Sequence, residues 1–184
     1  MPFHLESPRL VLRNFQDSDL ETFIAYRNIP KVAIYQGWKL PYPREKALEL
    51  FKNFKNKDTV EQGDWIQLAV ELKADGELIG DVGIFVFRQD ARQARIGFTI
   101  APVYWRKGFA MEATMRLLEY LFDERNFHRV SADCDVLNTG SWKLLEKVGF
   151  RREAHHISSY PMGENQWNDE YVYAMLASEW KGKR

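Results

Sequence analysis

"ARIGFTIAPVYWRKGFAMEA", residues 94–113, joins an alternating apolar stretch to a helix through a turn rich in aromatic and basic residues. Residues 94–100 read as a strand, and Pro102 ends it. From Lys107 to about Asn126, apolar residues at Ala110, Ala113, Leu117, Leu118, Leu121 and Phe122 fall on one helical stripe. Gly108 stands at the entrance to that helix, beside Arg106 and Lys107. One reading is local: the glycine serves the turn and the cations are solvated. The other is chemical. A helix start presents unpaired N–H groups and about half a positive charge, a glycine removes the Cβ that would block an approaching group, and two cations add to the field. Together they form a cradle for a pyrophosphate. A Walker loop is excluded, because no GxxxxGK[ST] pattern is present.

Downstream, "RVSADCD" (129–135) reads as a strand, and "NTGSWKLLEKVGF" (138–150) as an amphipathic helix capped by Asn138 and closed by Gly149. Upstream, "RLVLRN" (9–14) is a strand. Asp17 or Ser18 then caps a helix through Leu20, Phe23 and Ile24, and Pro43 opens a second helix through Ala47, Leu50, Phe51 and Phe54. "WIQLAVEL" (65–72) and "LIGDVGIFVF" (78–87) form a hairpin across "ADGE", with Gly80 and Gly83 marking a bulge or close packing. "FRREAHHISSY" (150–160) and "WNDEYVYAML" (167–176) form a final hairpin around "PMGENQ". The order β-α-α-β-β-β-α-β-α-β-β predicts an α+β fold: a mixed, mostly antiparallel twisted sheet of about seven strands with helices on its faces. It is not the regular alternation of a dinucleotide-binding fold.

The 184 residues suit one domain, 1–184, with no repeat or linker. Apolar residues make up 45% and charged residues 28%, as in ordinary globular chains. Lys plus Arg (26) equals Asp plus Glu (26), which argues against a general nucleic-acid binder. No apolar run approaches the ~18 residues of a membrane span. The single cysteine, Cys134, and the lack of a secretory signal point to a reducing, cytoplasmic setting. The four histidines have no metal-ligand spacing, so no metal is expected.

These stretches, in this order, resemble the GNAT N-acetyltransferases, and within them the RimJ/RimL-like branch that acetylates ribosomal-protein N-termini and other amines. The similarity begins at "SPRLVLRNFQDSDL", runs through "IGDVGI", "ARIGFTIAPVYWRKGFAMEA" and "NTGSWKLLEKVGF", and closes at "WNDEYVYAMLASEW". It implies an enzyme that uses acetyl-CoA as co-substrate and a primary amine as acceptor. The acceptor is a peptide N-terminus or a small molecule, and the assembly a monomer or homodimer. The alternative is a catalytically silent acyl-CoA-binding module. By resemblance, the strand before the turn splays from its neighbour and pairs with pantetheine through Phe98, Thr99 and Ile100. The pyrophosphate rests on Arg106, Lys107, Gly108, Phe109 and Ala110, and Asn138 and Ser141 contact the cofactor. The family pattern [QR]-x-x-G-x-[GA] is met at Gly108 and Ala110, with Trp105 at its first position.

Direct transfer needs a neutral amine, a stabilised thioester oxygen and a proton for the leaving thiolate. Ser141 is the candidate for the last of these, or it merely satisfies its helix start. Asp133 and Asp135 share one face of their strand, and either can serve as base; Asp135 is taken as the catalytic residue. Glu112 reads as support for its own helix turn. Arg95 stands where many relatives carry an acid. Cys134 reads as a packed thiol rather than a nucleophile. Only one of His155 and His156 can face inward. Tyr35, Trp38 and Tyr42 border the acceptor region or pack within it.

Overall fold

In the computed structural model, which describes residues 2–163 and 165–182, one eight-stranded sheet runs through the molecule. The strands are β1 (His4–Glu6), β2 (Leu10–Arg13), β3 (Trp65–Leu72), β4 (Leu78–Val86), β5 (Gln93–Ile100), β6 (Arg129–Asp135), β7 (Arg151–Gly163) and β8 (Gln166–Leu176). Their order across the sheet is β1-β2-β3-β4-β5-β6-β8-β7. Among the named strands only β5 and β6 are parallel neighbours. The helices are α1 (Leu20–Arg27), α2 (Pro30–Ala33), α3 (Arg44–Phe54), α4 (Phe109–Glu119), α5 (Thr139–Val148) and α6 (Ala177–Lys181). This is the single-domain α+β architecture read from the sequence. The eighth strand, β1, is three residues long, too short to show a period of its own.

Alternation along the strands sends apolar side chains to both faces, so each face carries a core. On one face Phe15, Phe23, Tyr42 and Phe51 gather α1 and α3 over the sheet, with Phe15 and Phe51 stacked at 4.5 Å. On the other, Leu12, Leu68, Ile84 and Val130 meet Leu117 and Leu121 behind α4, Leu145 of α5 and Trp180 of α6. Each of these buried side chains contributes about 1.5–3 kcal/mol by leaving water.

Several boundaries differ from the sequence reading, each for a local reason. The first helix begins as a 3₁₀ turn, Asp17–Asp19, and Asp19 Oδ2, not Asp17 or Ser18, receives the Gln16 N–H at 2.7 Å. Pro43 sits just before α3, where its missing N–H is harmless. The α4 helix starts at Phe109, not Lys107, because Arg106 and Gly108 take left-handed φ values of +61° and +83°. It ends in a π turn, Tyr120–Glu124, in which the Arg125 N–H reaches Tyr120 O five residues back at 2.9 Å. The last hairpin extends through most of "PMGENQ", of which Glu164 lies outside the described residues.

Candidate active site

Strands β5 and β6 pair only at Gln93↔Arg129, Ala94↔Val130 and Arg95↔Ser131, although β5 runs on to Ile100 and β6 to Asp135. Beyond Arg95 the two strands part. The Ala101 N–H donates to Ile79 O at 2.8 Å, which makes Ala101 and Ile79 a hydrogen-bonded pair. Antiparallel pairing alternates, so Thr99 opposite Asp81 and Gly97 opposite Gly83 likewise spend their N–H and C=O groups on β4. The backbone groups of Phe98 and Ile100 therefore face the gap. Thr99 lines the second cavity, but its backbone groups pair with β4 and so do not face the gap where pairing with a cofactor was expected.

Each of the parted strands leads toward a helix start. After β5 comes a 3₁₀ turn (Pro102–Tyr104) and then residues 105–108. Trp105 Nε1 donates to Ile100 O at 2.5 Å, folding the turn back on its own strand. The first bond into α4 runs from the Glu112 N–H to Gly108 O at 3.0 Å, so the N–H groups of Gly108 through Met111 precede it and have no acceptor within the helix. After β6, Asn138 Oδ1 receives the Ser141 N–H at 3.2 Å at the start of α5. The α4 and α5 helices pack together. Two helix starts and two strand ends thus converge at the carboxyl end of a parallel pair, where open sheets receive ligands.

On the α1–α3 face of β5 lie two adjoining cavities of about 300 and 310 Å³. Gln36, Gly37, Trp65 and Gly97 line both. The Trp65 ring lies on Gly83, where any Cβ would stand 2.2 Å from it. The first cavity adds Arg95, Asp133, Asp135, Tyr160, Glu170 and Tyr35. Burial, and then the charges of Glu170 and Asp133, push the Tyr160 phenol up, so it stays a neutral donor. The second cavity is floored by Asp81 and Arg27 and walled by Trp38 and Tyr42. Asp81, 1% exposed, receives the Tyr26 hydroxyl, the Gln67 amide and Arg27 Nη2, the last at 3.2 Å to both oxygens. The Arg27 guanidinium lies 4.2 Å from the ring centres of both Phe23 and Trp38.

Residues 9–151 match the family "Acetyltransferase (GNAT) domain".

The chain belongs to the GNAT acetyltransferases.

It is an acetyl-CoA-dependent acyltransferase. It is 33% identical over 177 residues to an uncharacterized N-acetyltransferase of Bacillus subtilis (strain 168), YnaD, covering 96% of this chain and 99% of that one. A GNAT-family acetyltransferase structure from Bacillus anthracis superposes with a TM-score of 0.82 at 29% identity, covering 96% and 99% of the two chains. A spermidine N-acetyltransferase from Vibrio cholerae, crystallised with CoA and spermine, shares the fold with a TM-score of 0.79 at 24% identity over 95% and 99% of the two chains.

The groups around the parted strands and the turn have the chemistry to hold a CoA thioester. Phe98, through its N–H and C=O, and Ile100, through its N–H, face the gap, since the Ile100 carbonyl is taken by Trp105, and the turn offers N–H groups and cations. Of the expected acceptor-side residues, Tyr35, Trp38, Tyr42 and Arg95 line the cavities, whereas neither His155 nor His156 does. His155 is paired with Asp169 at 2.9 Å. Asp135 is 7% exposed and both its oxygens are engaged, one by the Leu137 N–H at 2.7 Å and the other by the Asn168 amide. Asp133 differs: its side chain is 37% exposed, borders the first cavity and meets Arg95 at 3.4 Å. Burial, and then the charges of Asp133 and Asp135, push the Cys134 thiol up to about 12, so thiolate is scarce there.

The sequence reading missed Arg27, Asp81, Glu170 and Tyr160. A signal for Asp81 was available: a carboxylate on a strand buried on both faces must find a partner.

Proposed function

We propose that this GNAT enzyme transfers acetyl directly to a primary amine, in the manner of the RimJ/RimL-like branch, with a peptide N-terminus or small-molecule amine as acceptor. The reading is carried by one observation: the backbone gap at Phe98 and Ile100 lies beside an acid-lined, aromatic-walled cleft. Acetyl-CoA supplies the activated thioester. The N–H groups of residues 106–110 and the Arg106 and Lys107 side chains hold its phosphates, Phe98 and Ile100 hold its amide arm, and Asn138 fixes the start of α5 beside it. The Phe98 N–H offers a bond to the developing oxyanion. Asp133 takes the amine proton, directly or through water, and the Ser141 hydroxyl donates toward the departing sulfur. The lone Cys134 suits a reducing, cytoplasmic setting.

The test is mass spectrometry of an amine library after incubation with acetyl-CoA, run for the wild type and for Asp133→Asn, Asp135→Asn and Ser141→Ala. The reading expects acetylated product and CoA from the wild type, with Asp133→Asn slower by about a hundredfold or more, as for loss of a general base. Asp135→Asn should lower Tm more than it lowers kcat. Tight CoA binding with no product from any amine would favour a silent binding module.

A further inference from the structure

The turn that leads into α4 is held by a residue far away in sequence. Arg9, just before β2, spans the turn with four contacts. Its N–H donates to Glu112 Oε1 at 2.7 Å and its Nε to Glu112 Oε2 at 2.6 Å. Its Nη1 donates to the carbonyl of Lys107 at 3.1 Å, and its guanidinium lies 4.4 Å from the centre of the Phe109 ring. The Ser7 hydroxyl donates to the same Glu112 oxygen at 2.8 Å. Arg9 Nη2 reaches the open side of Gly108, 3.3 Å from where a Cβ would stand.

The turn needs such support. Arg106 holds a left-handed φ that is unfavourable for a residue with a Cβ, and Gly108 holds another two positions later. In this conformation the N–H groups at the start of α4 point out of the helix. Glu112 lies one turn into α4 with its side chain 15% exposed against 48% for Arg9, so the charge-assisted Arg9–Glu112 bonds are sheltered on the Glu112 side and open to water on the other. Burial pushes the Glu112 carboxyl up, but the hydrogen bonds from Arg9 and Ser7 hold it below its ordinary range, so it stays ionised.

We propose that Arg9 is a positioning residue for the co-substrate: bridging Glu112 and the Lys107 carbonyl, it locks the turn so that its N–H groups are set for the pyrophosphate. This rests on the reading that the turn receives that group. Glu112 then acts on the phosphate position only through Arg9 and the turn, although its own charge repels phosphate.

That opposition supplies the test. Simple electrostatics makes Glu112→Gln bind CoA more tightly, because a negative charge is removed near a polyanion. Positioning makes it bind more weakly. Arg9→Lys keeps the charge but cannot bridge Glu112 and the Lys107 carbonyl through a fork. Calorimetric titration with CoA is expected to show Kd raised about tenfold in both variants, as for loss of a charge-assisted bond. The kcat at saturating acetyl-CoA and the KM for the amine should stay within about twofold. Ser7→Ala, a milder change, should raise Kd less and keep the system testable if either other variant folds poorly. Unchanged or tighter CoA binding by Glu112→Gln, or wild-type binding by Arg9→Lys, overturns the proposal. S-acetylpantetheine, which lacks the pyrophosphate, separates the two levels. If the wild type binds it as tightly as acetyl-CoA, the phosphate reading itself fails, whatever the variants do.

Discussion

Trp105 donates its indole N–H to the carbonyl of Ile100, five residues earlier, at 2.5 Å. The bond ties the end of β5 to the turn before α4, so it couples the strand and the loop to which the proposed reading gives the amide arm and the phosphates. It also accounts for a tryptophan at the first position of the [QR]-x-x-G-x-[GA] pattern: the side chain acts on the backbone of its own chain.

Replacing Trp105 with Phe keeps an aromatic ring and removes the donor. A neutral hydrogen bond contributes about 1 kcal/mol, so the KM for acetyl-CoA should rise about fivefold while the KM for the amine stays unchanged. Steady-state kinetics with each substrate varied in turn checks this, and an effect on the amine alone would refute it.

Gly108→Ala puts a Cβ on a residue at φ +83°. The left-handed conformation costs about 1–2 kcal/mol for an alanine. The neighbour it meets is the flexible end of Arg9, which can shift. We expect a fall of a few degrees in Tm, read by calorimetry, and a weaker affinity for CoA, read by titration.

Cys134 should react sluggishly. With its thiol pushed up to about 12 by burial and then by the neighbouring carboxylates, its rate with a disulfide reagent should climb steadily through pH 7 to 10 without levelling near pH 9. Cys134→Ala should keep wild-type kcat. A plateau near pH 9, or a dead variant, would mean the thiol is in a different environment.

Glu153 gives a pH dependence whose sign can be worked out. Its carboxyl, hydrogen-bonded by Arg129 and then by Arg151, is held down at about 2. The folded value lies below the unfolded one, so the stabilisation is present above the ordinary carboxylate range and is lost as pH falls toward 2. The group is partly exposed, so the effect is modest and weakens with salt. The Tm difference between wild type and Glu153→Gln should shrink between pH 5 and pH 2.5, as followed by thermal melts at fixed ionic strength.

Much of the fold was legible because period and punctuation agree along the chain. The alternation in residues 65–72, the Asp-Gly turn after them and the Gly149 stop after α5 each specify one local structure. The two helix starts were legible for a related reason: Gly108 and Asn138 act through their backbone or the nearest turn, so their neighbours in sequence are their neighbours in space. The acceptor side was not. Asp133 and Asp135 sit two residues apart on the same face and look alike in the sequence. They are told apart by Asn168, thirty-three residues beyond Asp135, whose amide engages Asp135 alone. Arg27 and Asp81, fifty-four residues apart, meet only when α1 folds onto β4. Thr99 was misassigned because alternation shows which face a side chain occupies, but not which neighbouring strand receives the backbone hydrogen bonds. That depends on strand order.

The parting of β5 from β6 leaves an interior row of main-chain groups with no strand to complete it. A bound pantetheine arm would act there as a missing rung of the sheet, so loading the enzyme would also finish its folding. Stability would then follow occupancy, rising as RT ln(1 + [L]/Kd) with the concentration of acetyl-CoA or CoA. Resistance to thermal unfolding and to proteolysis would then climb as either ligand is added.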